Sequence, residues 1–283
     1  MDDRQHEFSI RPVTSFDVCR DFVAGFQNDE AFSDPMLADA ALLRANLLTP
    51  IAQPERHAVL GLWHGAQLCG LFSFLVLREE RYLEMLAGLS RERAVYQQLL
   101  RHLCASFPDY QADFVFNPKN EPLYAVLREA GADFEPVQQK LVLRHAAQKT
   151  DTACIVPLTP RDLAQYLAIH NTDMYWTGAR VAAAQEKFRT LLARRGETVV
   201  GYLDVTRGHA ENEIYDLFVL PAYRRQGFGR ALLAQAVLEN RPNGMVLLTD
   251  CDNTAALRLF EASGFRAAAH AESVTAHWAV RPL

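Results

Sequence analysis

The stretch Leu217–Leu233 reads Leu-Phe-Val-Leu-Pro-Ala-Tyr-Arg-Arg-Gln-Gly-Phe-Gly-Arg-Ala-Leu-Leu. A strand-like apolar run ends at Pro221, a short loop carries Gly227 and Gly229, and apolar residues then recur at the spacing of one helix face. At such a junction the first N–H groups of the helix lack intrahelical partners, and the helix dipole places positive charge there. Glycine lets the backbone approach a ligand closely. The order strand, glycine loop, helix therefore predicts a site for phosphate or pyrophosphate.

Arginines beside the glycines add cationic donors at Arg224, Arg225 and Arg230. The loop is not a P-loop, because Gly-x-x-x-x-Gly-Lys-Ser/Thr does not occur in the sequence, and the dinucleotide fingerprint Gly-x-Gly-x-x-Gly is absent as well. The motif present is Arg224-x-x-Gly227-x-Gly229. It resembles the Arg/Gln-x-x-Gly-x-Gly/Ala loop of the GNAT N-acetyltransferase superfamily, which binds the pyrophosphate of acetyl-CoA.

A second motif follows another apolar strand, Met245 to Thr249. It begins with Asn253-Thr-Ala-Ala and ends with Gly264-Phe265. This pattern resembles the second signature of the same superfamily, Asn-x-x-Ala followed by Gly-Phe. Since both signatures occur in the family's order, the C-terminal half of the chain is identified as a GNAT domain by resemblance.

The resemblance implies that acetyl-CoA is the co-substrate, and it assigns the residues that hold it. Backbone N–H groups of the loop would bind the pyrophosphate, and the strand before the loop would pair with the pantetheine arm like an added strand. The implied binding residues are Leu217, Phe218, Val219, Arg224, Arg225, Gln226, Gly227, Phe228, Gly229, Arg230, Asn253 and Phe260.

Two of these residues have alternative interpretations. Asn253 precedes a helix, where asparagine is a favoured N-cap, so it caps the helix, meets the pantetheine, or does both. Phe260 stands seven residues after Asn253, where the family often has a tyrosine that protonates the departing thiolate. Phenylalanine cannot donate a proton, so another group or water does so, or the thiolate leaves unprotonated.

Acyl transfer to an amine needs a base, because the acceptor arrives mostly as ammonium. Glu213 begins the strand before the loop, at a place that matches the general base of the histone acetyltransferase branch; the alternative is a surface glutamate. Tyr215 lies two residues on, on the same strand face, where it orients the acceptor or is part of the core. Asp250 is a second candidate base. The segment Asn171–Thr177 occupies the place of the loop that lines the family's acceptor pocket.

The two halves of the sequence repeat one pattern. Gly65 and Gly70 flank one turn as Gly196 and Gly201 flank another, and Asn120 precedes Gly131 by the same eleven residues that separate Asn253 from Gly264. We therefore predict an α/β (α+β) protein of two tandem GNAT-like domains, residues 1–147 and 148–283. Each would have a mixed, mostly antiparallel sheet flanked by helices. The stretch Ala87–Arg93 keeps one glycine and adds Glu92 where the first copy should have its phosphate loop, so that copy is degenerate.

Helices and strands are expected in the same order in both copies. Strands are predicted at 8–13, 57–63, 67–77, 82–86, 113–117, 137–143, 154–158, 188–194, 198–206, 214–220 and 245–249. Helices are predicted at 17–26, 36–48, 94–106, 122–130, 161–169 and 181–186, after the glycine loop, and after Asn253. A loop is expected at 28–35, and a polar linker joins the copies at 145–152.

Composition limits the partners and the compartment. The chain has 283 residues and a formal net charge of -5, which argues against nucleic acid as a partner. No apolar run is long enough to span a bilayer, and the start of the sequence is polar, so neither a membrane nor a signal peptide is expected. The five cysteines are far apart and form no Cys-x-x-Cys, so no metal site is expected, and a cytoplasmic location fits best.

These observations predict an acetyltransferase that transfers an acetyl or longer acyl group from acetyl-CoA or a related acyl-CoA directly to a primary amine of a small molecule or peptide. The rival hypothesis is a CoA-binding sensor or scaffold without turnover. The sequence leaves open the acceptor, the acyl length, the group that protonates the thiolate and the oligomeric state.

Overall fold

A computed structural model describes residues 8–26, 37, 40–145, 150–172 and 176–281. By its internal contacts the chain divides into two compact units. Unit 1 consists of Met1–Gln138 together with His270–Leu283, and unit 2 consists of Gln139–Ala269. The expected loop at 28–35, the start of the helix expected from Met36 and part of the expected linker lie outside the described residues.

Unit 1 is an α/β structure whose helices pack on a sheet. Its strands are β1 (Ser9–Pro12), β2 (His57–His64), β3 (Gln67–Leu77), β4 (Tyr82–Leu89), β5 (Gln111–Phe116), β6 (Asp133–Phe134) and the end of β13 (Phe265–Ala279). Its helices are a 3-10 turn (Phe16–Val18), α1 (Arg20–Ala24), α2 (Ala40–Leu43), a π-helical stretch (Arg44–Leu48), α3 (Thr49–Ala52), α4 (Arg93–Ser106) and α5 (Glu121–Glu129).

The sheet of unit 1 has the strand order β1-β2-β3-β4-β5-β13, and β6 also pairs with β13. The strands are antiparallel except for the parallel pair β4 and β5. Helix α4 packs through residues at helical spacing, among them Val95, Leu99 and Leu103, all with 0% exposure. The sheet thus has an apolar core against α4 and α5, and a second one against the segment that contains α1 to α3.

Unit 2 repeats this arrangement. Its strands are β7 (Gln138–Leu143), β8 (Ile155–Pro157), β9 (Phe188–Arg195), β10 (Thr198–Thr206), β11 (Glu211–Val219), β12 (Gly244–Asp250) and the first part of β13. Its helices are α6 (Leu163–Ile169), α7 (Gly178–Ala183), a 3-10 turn (Pro221–Tyr223), α8 (Phe228–Asn240) and α9 (Thr254–Ala262).

The sheet of unit 2 runs in the order β8-β9-β10-β11-β12-β7, followed by the first part of β13. Strands β8 to β11 are antiparallel, and β11 is parallel to β12. One face carries an apolar core against α8 and α9, and the opposite face carries a cluster against α6 that contains Tyr166, Leu192 and Tyr202. This fold confirms the mixed, mostly antiparallel sheet flanked by helices.

The two units repeat each other in detail as well as in order. In unit 1 the β2–β3 register shifts next to Gly70, and in unit 2 the β9–β10 register shifts next to Gly201. A Cβ at Gly70 would lie 2.4 Å from Val95 Cγ1, and one at Gly201 would lie 2.6 Å from the Phe218 carbonyl. Glycine is therefore needed at both bulges because neighbouring atoms leave no room for a side chain.

Each unit includes a strand from the other predicted copy of the sequence repeat. Strand β7 comes from the first half of the sequence, and its Leu141, 1% exposed, lies in the core of unit 2. The end of β13 pairs with β5, and its Trp278 is 2% exposed in the core of unit 1 and donates its Nε1–H to the Ala130 carbonyl at 3.2 Å. The compact units therefore differ from residues 1–147 and 148–283, a division that stays a prediction about the sequence repeat.

Most elements lie where the sequence pattern predicts them. Strands β3 and β10 have the predicted ends, since each follows a two-residue turn that includes a glycine at positive φ, Gly65 or Gly196. The helix expected from Asp17 is a 3-10 turn followed by α1, and the helix expected from Val181 is α7, three residues earlier. The long strand β13 was not predicted at all.

Candidate functional site

The loop between β11 and α8 has a left-handed backbone at two positions. Arg225 has φ 62°, and Gly227, the residue before α8, has φ 93°. Left-handed and right-handed residues in succession turn neighbouring N–H groups toward one point, which forms an anion-binding concavity. A Cβ on Gly227 would meet nothing within 4 Å, so this glycine is required by its φ angle and leaves open space above the loop.

The backbone N–H groups of the loop are mostly unused by hydrogen bonds within the described part of the chain. In the described part of the chain, hydrogen bonds engage the N–H groups of Arg224 and Ala231, and none engages the N–H groups from Arg225 to Arg230. These donors include the first turn of α8, where the dipole adds positive charge. The donors fit a pyrophosphate by chemistry and by the access that Gly227 provides.

The arginines of the loop differ in what they contact. Arg224 donates its Nε–H to the Val219 carbonyl at 3.0 Å, so it holds the loop over the end of β11. Gln226 ties the loop to itself and to β9, because it donates to the Ala222 carbonyl at 3.0 Å and accepts from Arg195 at 3.2 Å. Arg225 and Arg230 are exposed. These two side chains are the cations available to a ligand.

Strands β11 and β12 separate just before this loop. Their parallel pairing ends at Ile214 and Leu247, although β11 continues to Val219 and β12 to Asp250. The backbone of β11 from Tyr215 to Val219 is therefore not paired with β12. Separation of two parallel strands exposes peptide groups that an extended ligand can pair with.

Side chains of the predicted pantetheine strand pack on both faces of the sheet. Leu217 and Val219 pack against the core on the α8 face. Phe218 packs against Tyr202 on the opposite face, with ring centroids 5.9 Å apart. The side chains are therefore structural, and only the backbone of these residues is placed to serve a ligand.

The second motif has a capping role in the structure. The Asn253 side chain accepts from the Ala256 N–H at 3.1 Å and caps α9, and it is exposed. Phe260 is 6% exposed and packs edge-on against Phe265, with centroids 6.0 Å apart. Its burial leaves only an edge of the ring for any ligand. Gly264 ends the helix at φ 96°, where a Cβ would lie 1.9 Å from the His145 carbonyl oxygen.

A β-bulge brings three polar side chains onto one face of β11. Asp204 pairs with Asp216 and Val205 pairs with Ile214, so Tyr215 has no partner on β10. Glu213 and Tyr215 lie on the face of β11 that is opposite to the buried Ile214, so the two residues share a face as predicted. The extra residue then turns Asp216 to the same face. Sequence reasoning missed Asp216, because strict alternation would have put it in the core on the α8 face.

The two predicted catalytic residues are half-buried. Burial raises the pKa of the Glu213 carboxyl, and the charge of Lys140 opposes that rise. The Glu213 N–H donates to Thr206 Oγ1 at 2.7 Å, which holds the backbone at this point. Tyr215 packs against Phe188 and its hydroxyl accepts from the Trp176 N–H at 3.3 Å. Asp250, the alternative base, lies half-buried at the end of β12.

Asp216 belongs to a buried polar network that the sequence did not reveal. The Tyr202 hydroxyl donates to Asp216 Oδ2 at 2.6 Å and accepts from the Asn171 N–H at 3.2 Å. His170 stacks on Tyr202 with centroids 4.7 Å apart and planes 13° apart. His170 Nε2 lies 3.0 Å from Asp204 Oδ2, and its Nδ1 lies 2.6 Å from the Asn171 carbonyl.

Both ends of the predicted acceptor loop, Asn171–Thr177, contact residues of this site. Asn171 contacts Tyr202, and Trp176 contacts Tyr215 as described above. Its central residues, Asp173 to Tyr175, lie outside the described part of the chain. The two described ends, Asn171 and Trp176, thus contact Tyr202 and Tyr215, and Tyr215 shares its face of β11 with Glu213 and Asp216.

Unit 1 has a different connection at the place of the phosphate loop. Only residues 90–92 separate β4 from α4, against 220–227 in unit 2. The Ser90 N–H donates to the Tyr96 hydroxyl at 3.1 Å, and the Glu92 N–H donates to Ser90 Oγ at 3.1 Å. Met85 fills the space beside Gly88, where a Cβ would lie 2.5 Å from its sulfur. These internal contacts use two of the donors that an anion at this connection would need.

The described residues contain neither a membrane-spanning helix nor a metal-binding cluster. Within 8–26, 37, 40–145, 150–172 and 176–281, no helix has the length and apolar character needed to cross a membrane. Over the same residues, no group of three or more His, Cys, Asp or Glu side chains is arranged to hold a metal ion.

Comparison with known proteins gives matches in sequence and in fold. Residues 157–265 match the model of the Acetyltransferase (GNAT) family. Over 78 residues the chain is 38% identical to the N-alpha-acetyltransferase RimI of Mycobacterium tuberculosis, a stretch that covers 26% of this chain and 49% of that protein. The matched stretch thus spans about half the length of that curated relative.

Solved structures resemble the chain over nearly its whole length. A GCN5-related N-acetyltransferase from Sphaerobacter thermophilus has a TM-score of 0.66 and 12% identity, over 97% of this chain and 96% of that one. A tandem GNAT protein from the clavulanic acid biosynthesis pathway has a TM-score of 0.57 and 13% identity, over 98% of this chain and 100% of that one. Residues 157–265 therefore belong to the acetyltransferase (GNAT) family, and the chain has the fold of a tandem GNAT protein.

Proposed function

We propose that the chain is an acetyl-CoA-dependent N-acetyltransferase that transfers the acetyl group, or a longer acyl group, directly to a primary amine of a small molecule or peptide. The observation that carries this proposal is the set of N–H groups from Arg225 to Arg230, which are not engaged within the described chain and belong to the loop whose Gly227 adjoins open space. The set suits a pyrophosphate. Arg225 and Arg230 supply charge for the phosphates.

The separated end of β11 suits the pantetheine arm. An extended chain that starts at the loop can pair with the peptide groups of Leu217 to Val219, which are not paired with β12. This places the thioester near the point where β11 and β12 part, close to Tyr215 and Asp216. A backbone N–H there can polarise the thioester carbonyl.

The acceptor would reach the thioester from the face that carries Glu213 and Tyr215. In our proposal Glu213 removes a proton from the ammonium, directly or through water, and Tyr215 orients the amine. A raised pKa suits this role, because a carboxylate with a higher pKa is a stronger base. The amine then attacks the carbonyl carbon and forms a tetrahedral intermediate, with no acyl-enzyme. RimI is named an N-alpha-acetyltransferase, which makes a peptide amine one acceptor to test.

The departing thiolate has no proton donor at Phe260. That side chain is apolar and 6% exposed. An ordinary thiol has a pKa of about 8.5, so a thiolate can leave near neutral pH without an acid at that position. We therefore propose that the thiolate departs unprotonated, or is protonated by water.

The second candidate function is a CoA-binding sensor or scaffold without turnover. The observation that favours it is Phe260, together with a unit 1 whose corresponding connection has no open donors at Ser90 and Glu92. Such a protein would bind CoA through the same loop. It would release no free thiol from acetyl-CoA, whatever amine is added.

One experiment separates these two functions. Free thiol release from acetyl-CoA is measured with amino acids, polyamines, aminoglycosides and peptides with free N-termini, while calorimetry measures CoA affinity. Turnover that depends on one amine, with the acetylated product found by mass spectrometry, supports the enzyme. Tight CoA binding without turnover on the whole panel supports the sensor, and lack of CoA binding contradicts both.

A further inference from the structure

A buried row of polar side chains runs from the interior of unit 2 to Asp216. Asp204 is 0% exposed and accepts hydrogen bonds from the Tyr166 hydroxyl at 2.9 Å and from the Thr190 hydroxyl. His170 lies next to it, with 2% of its side chain exposed. The stacked Tyr202 follows, and its hydroxyl reaches Asp216.

The partners of His170 determine its charge. Nδ1 lies 2.6 Å from a carbonyl oxygen, which can only accept a hydrogen bond. Nε2 lies 3.0 Å from Asp204, a carboxylate that already accepts from two hydroxyl groups. This arrangement favours donation by both ring nitrogens, which is the imidazolium form of His170 paired with Asp204. Burial lowers the pKa of His170, but hydrogen bonds to Asp204 and the Asn171 carbonyl outweigh it and raise the pKa.

Tyr202 transmits this arrangement to Asp216. A cationic ring stacked on the phenol favours donation by its hydroxyl, and the Asn171 N–H occupies the hydroxyl's acceptor side. The hydroxyl proton is therefore directed at Asp216 Oδ2. The Tyr202 hydroxyl therefore orients one oxygen of the Asp216 carboxyl, which is half-buried on this face of β11.

The position of Asp216 is close to the proposed reaction. It is the second residue after the last β11–β12 pair at Ile214, and it precedes Leu217, whose backbone begins the proposed pantetheine segment. Glu213 lies three residues earlier, before the strands part. Asp216 is thus the nearer of these two carboxylates to the proposed position of the thioester.

Unit 1 shows that the fold does not need this network. The register that pairs Asp204 with Asp216 across the bulge pairs Ser73 with Ala87 in unit 1. The same alignment places Leu71 at the position of Tyr202. The same bulged strand pair therefore folds without either carboxylate and without the tyrosine, which argues for a role in chemistry rather than in folding.

We propose that Asp216 is a catalytic base that takes the proton from the acceptor ammonium, with Tyr202, His170 and Asp204 as positioning residues. This inference rests on the proposed function. It leaves Glu213 to attract the ammonium and to receive the proton afterwards. A network of this kind predicts an acceptor that carries positive charge at the reacting nitrogen.

Protons and electron pairs are conserved in the proposed reaction. Asp216 takes one proton from the ammonium and becomes a carboxylic acid, and the nitrogen lone pair forms the bond to the thioester carbon. The carbon–sulfur bond then breaks and its electron pair leaves with the thiolate. The nitrogen loses its second proton to the thiolate, and Asp216 passes its proton to Glu213, which releases it to solvent. Ammonium and thioester thus give amide, thiol and one proton.

Charged and titratable groups from several elements face Asp216. Burial raises the pKa of its carboxyl, and the charge of Asp204 raises it further. The hydrogen bond from Tyr202, the charge of His170 and a hydrogen bond from the Leu217 backbone lower it. On β11 itself, Glu213 and Tyr215 share its face. Removing the hydrogen bond from Tyr202 or the charge of His170 should therefore raise the pKa of Asp216.

The test uses the full chain and the variants Asp216→Asn, Tyr202→Phe and His170→Gln. Asp216→Asn should lower kcat by roughly 100-fold or more near neutral pH with CoA affinity unchanged. Tyr202→Phe and His170→Gln should lower kcat by roughly 10-fold. Both should move the acid limb of the kcat pH profile to higher pH, an effect that a merely structural role would not produce. Glu197→Gln, an exposed turn carboxylate paired with Arg161, is the control and should match the wild type.

A measurement without turnover accompanies the kinetics. Nitrogen-15 NMR of the histidine side chains should show both ring nitrogens of His170 protonated near neutral pH, and Asp204→Asn should abolish this. Wild-type kcat in Asp216→Asn, an unmoved acid limb in Tyr202→Phe, or a neutral His170 would each overturn the inference. If the wild type lacks turnover, the proposed function fails and the proposed base fails with it, whereas NMR still tests the charge on His170 separately.

Discussion

Gly227 is the residue whose lack of a side chain matters most for the proposed ligand. Its φ of 93° disfavours any side chain, and the space above it is open. Gly208, in the turn between β10 and β11, has φ 90° and open space as well, but it lies outside the loop. The two glycines therefore form a matched pair, with the same backbone constraint and a different relation to the loop donors.

We expect Gly227→Asp to lower CoA affinity more than tenfold, which is at least about 1.4 kcal/mol. A carboxylate would project into the space proposed for the pyrophosphate and repel it. Calorimetry measures the affinity, and circular dichroism verifies the fold. Gly208→Asp is the control, since it carries the same backbone strain and added charge. Equal affinity in the two variants would contradict the assignment of the loop.

Glu213→Gln tests the predicted base. The change is nearly isosteric and distant from the loop, so CoA affinity should stay the same. Near neutral pH kcat/KM should fall by roughly 100-fold, and the loss should shrink as pH approaches the pKa of the amine, because free amine needs no base. A pH–rate profile of both proteins checks this. A surface glutamate would give a wild-type profile, and Asp216, Asp250 or water would then act without Glu213.

Alternation of side chains along β11 predicted the positions of two site residues correctly and of one wrongly. It placed Glu213 and Tyr215 on one face, and the structure shows them there. It failed at Asp216 because a bulge inserts one residue without changing composition, and nothing in the residues near Tyr215 marks it. His170 and Asp204 were missed for another reason, since they lie 34 residues apart and only the fold brings them together.

At the scale of elements, α5 and α9 begin in the same way. Asn120 and Asn253 have identical backbone angles, φ -74° and ψ 68°, and each side chain accepts from the N–H three residues on. The surroundings differ, since Asn120 is 4% exposed and donates to Tyr96, whereas Asn253 is exposed. The pair thus separates capping from ligand binding.

Replacing either asparagine with alanine should remove a helix cap and lower the free energy of unfolding by about 1 kcal/mol, with a larger loss at Asn120 because Tyr96 also loses a donor. If Asn253 meets the pantetheine, only Asn253→Ala should also lower CoA affinity. Urea unfolding and calorimetry measure the two quantities. An unchanged CoA affinity in Asn253→Ala would restrict that residue to its cap.

Elements were predicted well where turns mark them and poorly where composition misleads. Glycines at positive φ fixed the ends of β3 and β10. Strand β13 begins Phe-Arg-Ala-Ala-Ala-His-Ala-Glu, a run rich in residues that favour helices and without apolar alternation, so no strand was indicated. Pairing with β7, and with β5 from Val274 to Ala279, supplies the reason for its extended form, and such pairing is not visible in a local pattern.

At the scale of the whole molecule, we expect one CoA site per chain. Unit 2 has the open loop donors, whereas in unit 1 the N–H groups of Ser90 and Glu92 are bonded internally. Calorimetry should give a stoichiometry of one, and the same Gly227→Asp variant should remove that site without revealing a second. Two sites of comparable affinity would show that unit 1 binds CoA as well. A fragment of residues 1–147 is a poor test, because unit 1 also contains His270–Leu283.

The exchange of strands between the two halves of the sequence affects how the chain is made. A ribosome releases the residues in order, and the sheet of unit 1 needs Val274 to Ala279 to cover β5. Residues Gln139–Ala269, by contrast, include every part of unit 2. The unit that is synthesised first is therefore completed last. During translation the apolar core on its first five strands stays incomplete until Trp278 has been synthesised. Exposed apolar surface promotes aggregation, so the nascent N-terminal half is the part that most needs protection.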